Sequence, residues 1–124
     1  MIRIESAGDQ ELDALYRAAA LTAYVSLGEG FGMPVLEAMA RRSPVVASST
    51  TSIPEVAGDA ALLVDPTDED AIAGAITRVL TDEAYANDLR NRGPGRAAAF
   101  TWARTATDTL HVYRDIAPND RKAP

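Results

Sequence analysis

Residues 27–37 read Leu27-Gly28-Glu29-Gly30-Phe31-Gly32-Met33-Pro34-Val35-Leu36-Glu37, and this stretch decides the fold. Ala23-Tyr24-Val25-Ser26 before it has the apolar, β-prone character of a strand. Three alternate glycines then remove side chains where a ligand could approach the backbone. Pro34 suits the first position of a helix, because the N–H it lacks would find no partner there. A strand, a glycine-rich turn and a helix in that order form the ligand-facing edge of a parallel sheet.

Outward from that turn the same alternation continues. Ile2 and Ile4 fall in a short β-like run, and Asp9 can cap a helix with Leu12, Leu15, Tyr16 and Ala19 on one face. Downstream, Pro44-Val45-Val46-Ala47-Ser48 suits a buried parallel strand, and Ser49–Ser52 a polar loop. Pro54-Glu55-Val56-Ala57 reads as a helical turn stopped by Gly58, and Ala61-Leu62-Leu63-Val64 as another strand. Thr67 with Asp70 resembles a capping box opening a helix that turns Ile72, Ala75, Ile76, Val79 and Leu80 inward. Asp82 can cap the next helix, which Gly93-Pro94-Gly95 should break or kink. Thr101 caps a last amphipathic helix, with Trp102, Ala106, Leu110 and Tyr113 as core or docking residues. Strands separated by helices imply βαβ units. One α/β domain over 1–117 and a polar tail over 118–124 are expected.

Composition narrows the function. The 124 residues carry 12 basic and 18 acidic side chains, a net charge of −6, which argues against non-specific nucleic-acid binding. There is no cysteine and a single histidine, His111, so thiolate and His-rich metal sites are excluded and no metal site is expected. No apolar run approaches the ~20 residues of a transmembrane helix, and the start lacks a signal-peptide core. A cytoplasmic protein is expected, with peripheral membrane contact left open.

The turn itself suggests the ligand. Free amides at a helix start attract a diphosphate. Glu29 and Glu37, eight positions apart, offer carboxylates that accept hydrogen bonds from paired hydroxyls on either side of it. A ribose, a diphosphate and a hexose have that layout. Taken alone, Glu37 could equally be a solvated glutamate favoured by the helix dipole. Phe31 reads as a packing residue, and the glycines could serve turn geometry only.

Glu29-Gly30-Phe31-Gly32-Met33-Pro34-Val35-Leu36-Glu37-Ala38-Met39-Ala40 is similar to the donor-site segment of retaining GT-B glycosyltransferases of the group 1 family. The resemblance runs on through Pro44–Ser48 and Ile53–Val64 to Phe100-Thr101-Trp102 and Val112-Tyr113-Arg114. It implies a Rossmann-like, three-layer parallel sheet forming part of the C-terminal, nucleotide-sugar-binding domain of a GT-B fold. It further implies that Glu29 is the catalytic-site carboxylate facing the donor hexose and that Glu37 grips the ribose. The backbone of Gly30, Phe31, Gly32, Met33, Pro34 and Val35 would approach sugar and diphosphate, and the Ile4 region would lie near the base. The donor is a nucleotide-diphosphate sugar, with no cofactor and no metal.

Departures accompany the resemblance. Arg42 stands where the family usually has a small residue, often glycine, and Pro94 interrupts a segment that is normally continuous helix. The family's acceptor-binding domain and the opening strands of its second domain, with their basic clamp, have no counterpart in these residues. The expected function is therefore donor recognition for retaining glycosyl transfer, inactive in isolation. The expected partner is an N-terminal acceptor domain or a second copy of the chain. The alternative is a non-catalytic, self-associating or partner-binding relative.

Overall fold

The computed structural model describes residues 2–117. Three short parallel strands, β1 (Thr22–Tyr24), β2 (Val45–Ser48) and β3 (Leu62–Val64), form a sheet in the order β1-β2-β3. Among the described residues six helices accompany them: α1 (Asp9–Ala18), α2 (Met33–Ala40), α3 (Ile53–Ala57), α4 (Glu69–Thr81), α5 (Glu83–Ala98) and α6 (Trp102–Ile116). Thr22 pairs with Val45 and Tyr24 with Ala47, while Val46 pairs with Leu62 and Ser48 with Val64. The expected α/β, Rossmann-like arrangement is present.

Strand β2 is central and wholly buried, so it divides the core. Val45 and Ala47 face Val35, Met39, Ile53, Val56 and Ala57 from α2 and α3. Val46, one residue out of phase, faces Val64, Ala75, Val79, Ala86 and Leu89 from β3, α4 and α5. Helices on both faces of the sheet make three layers. Side-chain caps hold the later helices: Asp68 accepts from the Ala71 amide, Asp82 from Tyr85 and Thr101 from Arg104.

Several sequence expectations need correction. Ile2 and Ile4 are exposed and belong to no strand. With no neighbouring strand to pair with, the run has nothing to supply its ladder hydrogen bonds. Asp9 is the first residue of α1 rather than its cap, a position taken by Gly8. The cap of α4 is Asp68, not Thr67, whose amide and hydroxyl both bond Asp65. Leu80 points outward at 56% exposure.

Helix α5 runs through Pro94 without a break. Gly93 lies directly against α2: a Cβ there would sit 3.0 Å from Met39 O and 3.2 Å from Met39 Cα. Packing of the α5 backbone on α2 at Gly93 is a tertiary contact that offsets the local cost of the proline. Helix α6 buries none of its residues, and Trp102 is 87% exposed, so its apolar face is not core among the described residues. The tail expected over 118–124 lies outside the described residues. Among those residues no helix is long and apolar enough to cross a membrane.

Candidate donor site at the carboxyl end of the sheet

The loop between β1 and α2 and the loop between β2 and α3 leave the same end of adjacent strands, where ligands bind in open parallel sheets. They are bonded to each other. The Glu29 amide donates to Thr51 Oγ1 at 3.2 Å, and the Ser52 hydroxyl, 3.0 Å from both, is shared between the carbonyls of Glu29 and Phe31. Thr51 itself takes a left-handed backbone, φ 57°, which a β-branched residue adopts at some cost.

Gly32 is the N-cap of α2 at φ 103°, a left-handed backbone that strains any residue with a Cβ, and a Cβ there would also press on Ile53 Cδ1. Because Gly32 takes the cap, α2 begins at Met33 and Pro34 occupies its second position. Glu37 therefore lies in the second turn, not the first, and the helix has no acidic residue in its first turn. This weakens the helix-dipole explanation for Glu37, since that effect fades beyond the terminal turn.

The amides of Gly30, Phe31, Gly32 and Met33 bond to none of the described residues. Pro34 has no amide proton, and the Val35 amide already donates to Gly32 O at 3.0 Å. Val35 is fully buried in the core, so its side chain serves packing. Phe31 is 42% exposed and meets Phe100 edge-on, ring centroids 5.9 Å apart. Phe100 is in turn covered by the Arg96 guanidinium at 4.9 Å, and Arg96 Nε donates to Val56 O at 2.9 Å. The start of α2 is thus braced from α3 and α5.

Each of the two glutamates has a tyrosine partner that the sequence reading missed. The Tyr24 hydroxyl donates to Glu29 Oε1 at 2.5 Å, and the Tyr16 hydroxyl to Glu37 Oε2 at 3.3 Å. The Tyr24 bond holds the Glu29 carboxyl below the usual carboxylate range, with Ser26 assisting. Reciprocally, Glu29 pushes the Tyr24 phenol up to about 12. Burial, and then Glu37, raise the Tyr16 phenol. Arg41 lies over the Tyr16 ring at 5.8 Å, donates to Asp13 Oδ1 at 2.8 Å and bonds the Glu37 carbonyl at 3.1 Å, tying α1 to α2. Ile4 lines a shallow groove with Glu11, Ala14 and Leu15 of α1.

Arg42, the departure from the resemblance, has φ 63° and occupies the left-handed position after α2. Its amide bonds Met39 O and the Ser43 amide bonds Ala38 O, both at 3.0 Å, which completes a Schellman cap. The side chain points outward and donates to Asn91 Oδ1 at 2.9 Å.

The profile of the family described as "Glycosyl transferases group 1" matches residues 3–96. The chain belongs to that family. O-antigen chain mannosyltransferase B of Escherichia coli is 44% identical over 106 residues, covering 86% of this chain and 28% of the relative. MMP alpha-(1->4)-mannosyltransferase of Mycolicibacterium hassiacum is 38% identical over 109 residues, covering 85% and 26% respectively. Among solved structures, sucrose-phosphate synthase from Thermosynechococcus elongatus superposes with a TM-score of 0.72 at 37% identity, over 87% of this chain and 28% of that one. The chain thus spans about a quarter of the length of these relatives. Family and superposition together identify the fold as part of the C-terminal domain of a GT-B glycosyltransferase.

Proposed function

We propose that the chain is a donor-binding module for retaining glycosyl transfer, and that it recognises a nucleoside-diphosphate hexose at the carboxyl end of β1. The supporting observation is the group of four amides, Gly30 to Met33, at the start of α2 with Glu29 on one side and Glu37 on the other. The amides and the helix terminus suit the diphosphate, where negative charge grows as the glycosidic bond breaks. Glu37 takes the ribose hydroxyls, and Glu29 the hexose hydroxyls beside the reacting carbon. Two relatives bear mannosyltransferase names, so nucleoside-diphosphate mannose is the first donor to try. In this reading the nucleotide sugar is substrate, no resident cofactor or metal takes part, and the site works in a cytoplasmic protein at most peripheral to a membrane.

Catalysis in this reading needs a second body. An acceptor-binding domain would complete the cleft, and the outward apolar face of α6 and the outer edge of β1 are open to receive it. Those same surfaces could also serve self-association, a second reading that the family match does not favour. Light scattering separates the two, a concentration-independent monomer arguing against self-association.

The test of the donor site is calorimetry of the chain with UDP, GDP and ADP and with their hexose conjugates. Saturable binding to at least one nucleotide is expected, with Glu37→Ala lowering its affinity about tenfold through loss of charged hydrogen bonds. No binding to any of them at roughly millimolar concentration would overturn the reading.

A further inference from the structure

The sugar-facing carboxylate Glu29 lies on a loop, and a glutamate on a loop would ordinarily be a loose ligand. Its backbone is nevertheless clamped from both sides by Thr51 Oγ1 and the Ser52 hydroxyl. Its side chain is held by Tyr24, which ends β1 and is locked in register opposite Ala47 of the central strand. The Tyr24 ring also packs against the core formed by α2, β2 and α3. The phenol therefore projects from a rigid element.

We propose that Tyr24 is a positioning residue for Glu29: it binds one carboxylate oxygen and turns the other toward the donor hexose, on a backbone set by Thr51 and Ser52. The inference rests on the donor-site reading and assigns Tyr24, Thr51 and Ser52 a part in sugar recognition. A glutamate carboxylate has two oxygens with about four acceptor positions, so engaging Oε1 leaves acceptors for two sugar hydroxyls. The chain has ordered the carboxylate before the ligand arrives, so that binding need not. A phenol suits the task because it donates one hydrogen bond without bringing a competing charge. A lysine or arginine there would neutralise Glu29 and draw the donor diphosphate out of place.

Tyr24→Phe removes the hydroxyl and keeps the packed ring. The increment in affinity that the hexose adds to the nucleoside diphosphate should fall about tenfold, the worth of one charge-assisted hydrogen bond, while affinity for the nucleoside diphosphate alone stays unchanged. Glu37→Ala, which acts on the ribose, should lower affinity for nucleotide and nucleotide sugar alike and leave the hexose increment unchanged. An unchanged hexose increment in Tyr24→Phe, or an equal loss for nucleotide and nucleotide sugar, would overturn the proposal. A second readout needs no ligand. Carbon-detected NMR of the Glu29 carboxyl should show its titration midpoint moving up in Tyr24→Phe, and an unmoved midpoint would also overturn the proposal. If the native chain binds no nucleotide while the midpoint moves as expected, the donor-site reading fails and the Tyr24 contact stands as structural only, which equally ends the positioning role.

Discussion

Gly93 of α5 rests on the backbone of Met39 in α2, so closely that a Cβ would meet Met39 O at 3.0 Å and Met39 Cα at 3.2 Å. Met39 is fully buried between α5 and the central strand, in the helix that carries Glu37. The Gly93 contact therefore sets how α5 supports α2. Gly93→Ala gains about 1 kcal/mol of helix propensity but forces two backbones apart, at a typical cost of 1–3 kcal/mol. A net loss of about 1 kcal/mol is expected in urea unfolding. Gly95→Ala is the matched control: nothing lies within 4 Å of its Cβ position, so it should stabilise by about 0.5–1 kcal/mol. If both variants shift stability the same way, the close packing at Gly93 is not what holds the helix pair.

Arg42 carries a left-handed backbone at a position that favours glycine. Relief of about 1–2 kcal/mol of strain in Arg42→Gly is offset by glycine's larger unfolded-state entropy and the lost bond to Asn91. The variant should melt at the same temperature or up to about 4 °C higher. A lower melting point would show that the Asn91 bond outweighs the strain.

The Tyr24–Glu29 pair makes stability depend on pH at both ends. The phenol is raised to about 12 in the fold, so the folded state keeps a proton that the unfolded chain loses near its ordinary ~10. That contribution is complete below pH ~10 and is lost as pH rises through 12. The Glu29 carboxyl is lowered, so its contribution is complete above the ordinary ~4.3 and fades as pH falls through the lowered value. The difference in melting temperature between the native chain and Tyr24→Phe should be flat near neutrality and shrink at both extremes. A difference that is constant from acid to alkali would contradict the pairing.

Asp13 adds to the acid limb. Its bond to Arg17, then that to Arg41, hold its carboxyl below the ordinary range, so this stabilisation is lost as pH falls below ~4. In Asp13→Asn the stability curve should fall less steeply in that range, an outcome read from the same pH series. An identical acid slope would show that the Asp13 ion pairs are solvent-screened to nothing.

What could be read in advance was local. Gly28 to Pro34 announced a turn into a helix, and Val45 to Ser48 a buried strand, because each signal lies within a few consecutive residues. Apart from two helix caps misplaced by one residue, the misreadings depended on what lies alongside. Ile2 and Ile4 alternate like a strand but have no strand to pair with. Pro94 looked like a breaker, and the contact that offsets its local cost is with Met39, more than fifty residues earlier. The periodicity of α6 defined an apolar face without saying what covers it. At the site the two carboxylates were legible and their supports were not. Tyr16 reaches Glu37 across 21 residues and Thr51 reaches Glu29 across 22. Tyr24 sits only five residues from Glu29, but nothing in that spacing says a strand end and a loop will fold back on each other.

The proposed function places a nucleotide sugar along the loop from Glu29 to Glu37. Amide chemical-shift mapping of the isotope-labelled chain, titrated with UDP-hexose and GDP-mannose, tests it most directly. The largest shifts are expected at Gly30, Phe31, Gly32 and Met33, with smaller ones at Glu37, Thr51 and Ser52. Shifts confined to α4 or α6, or none at roughly millimolar ligand, would contradict it.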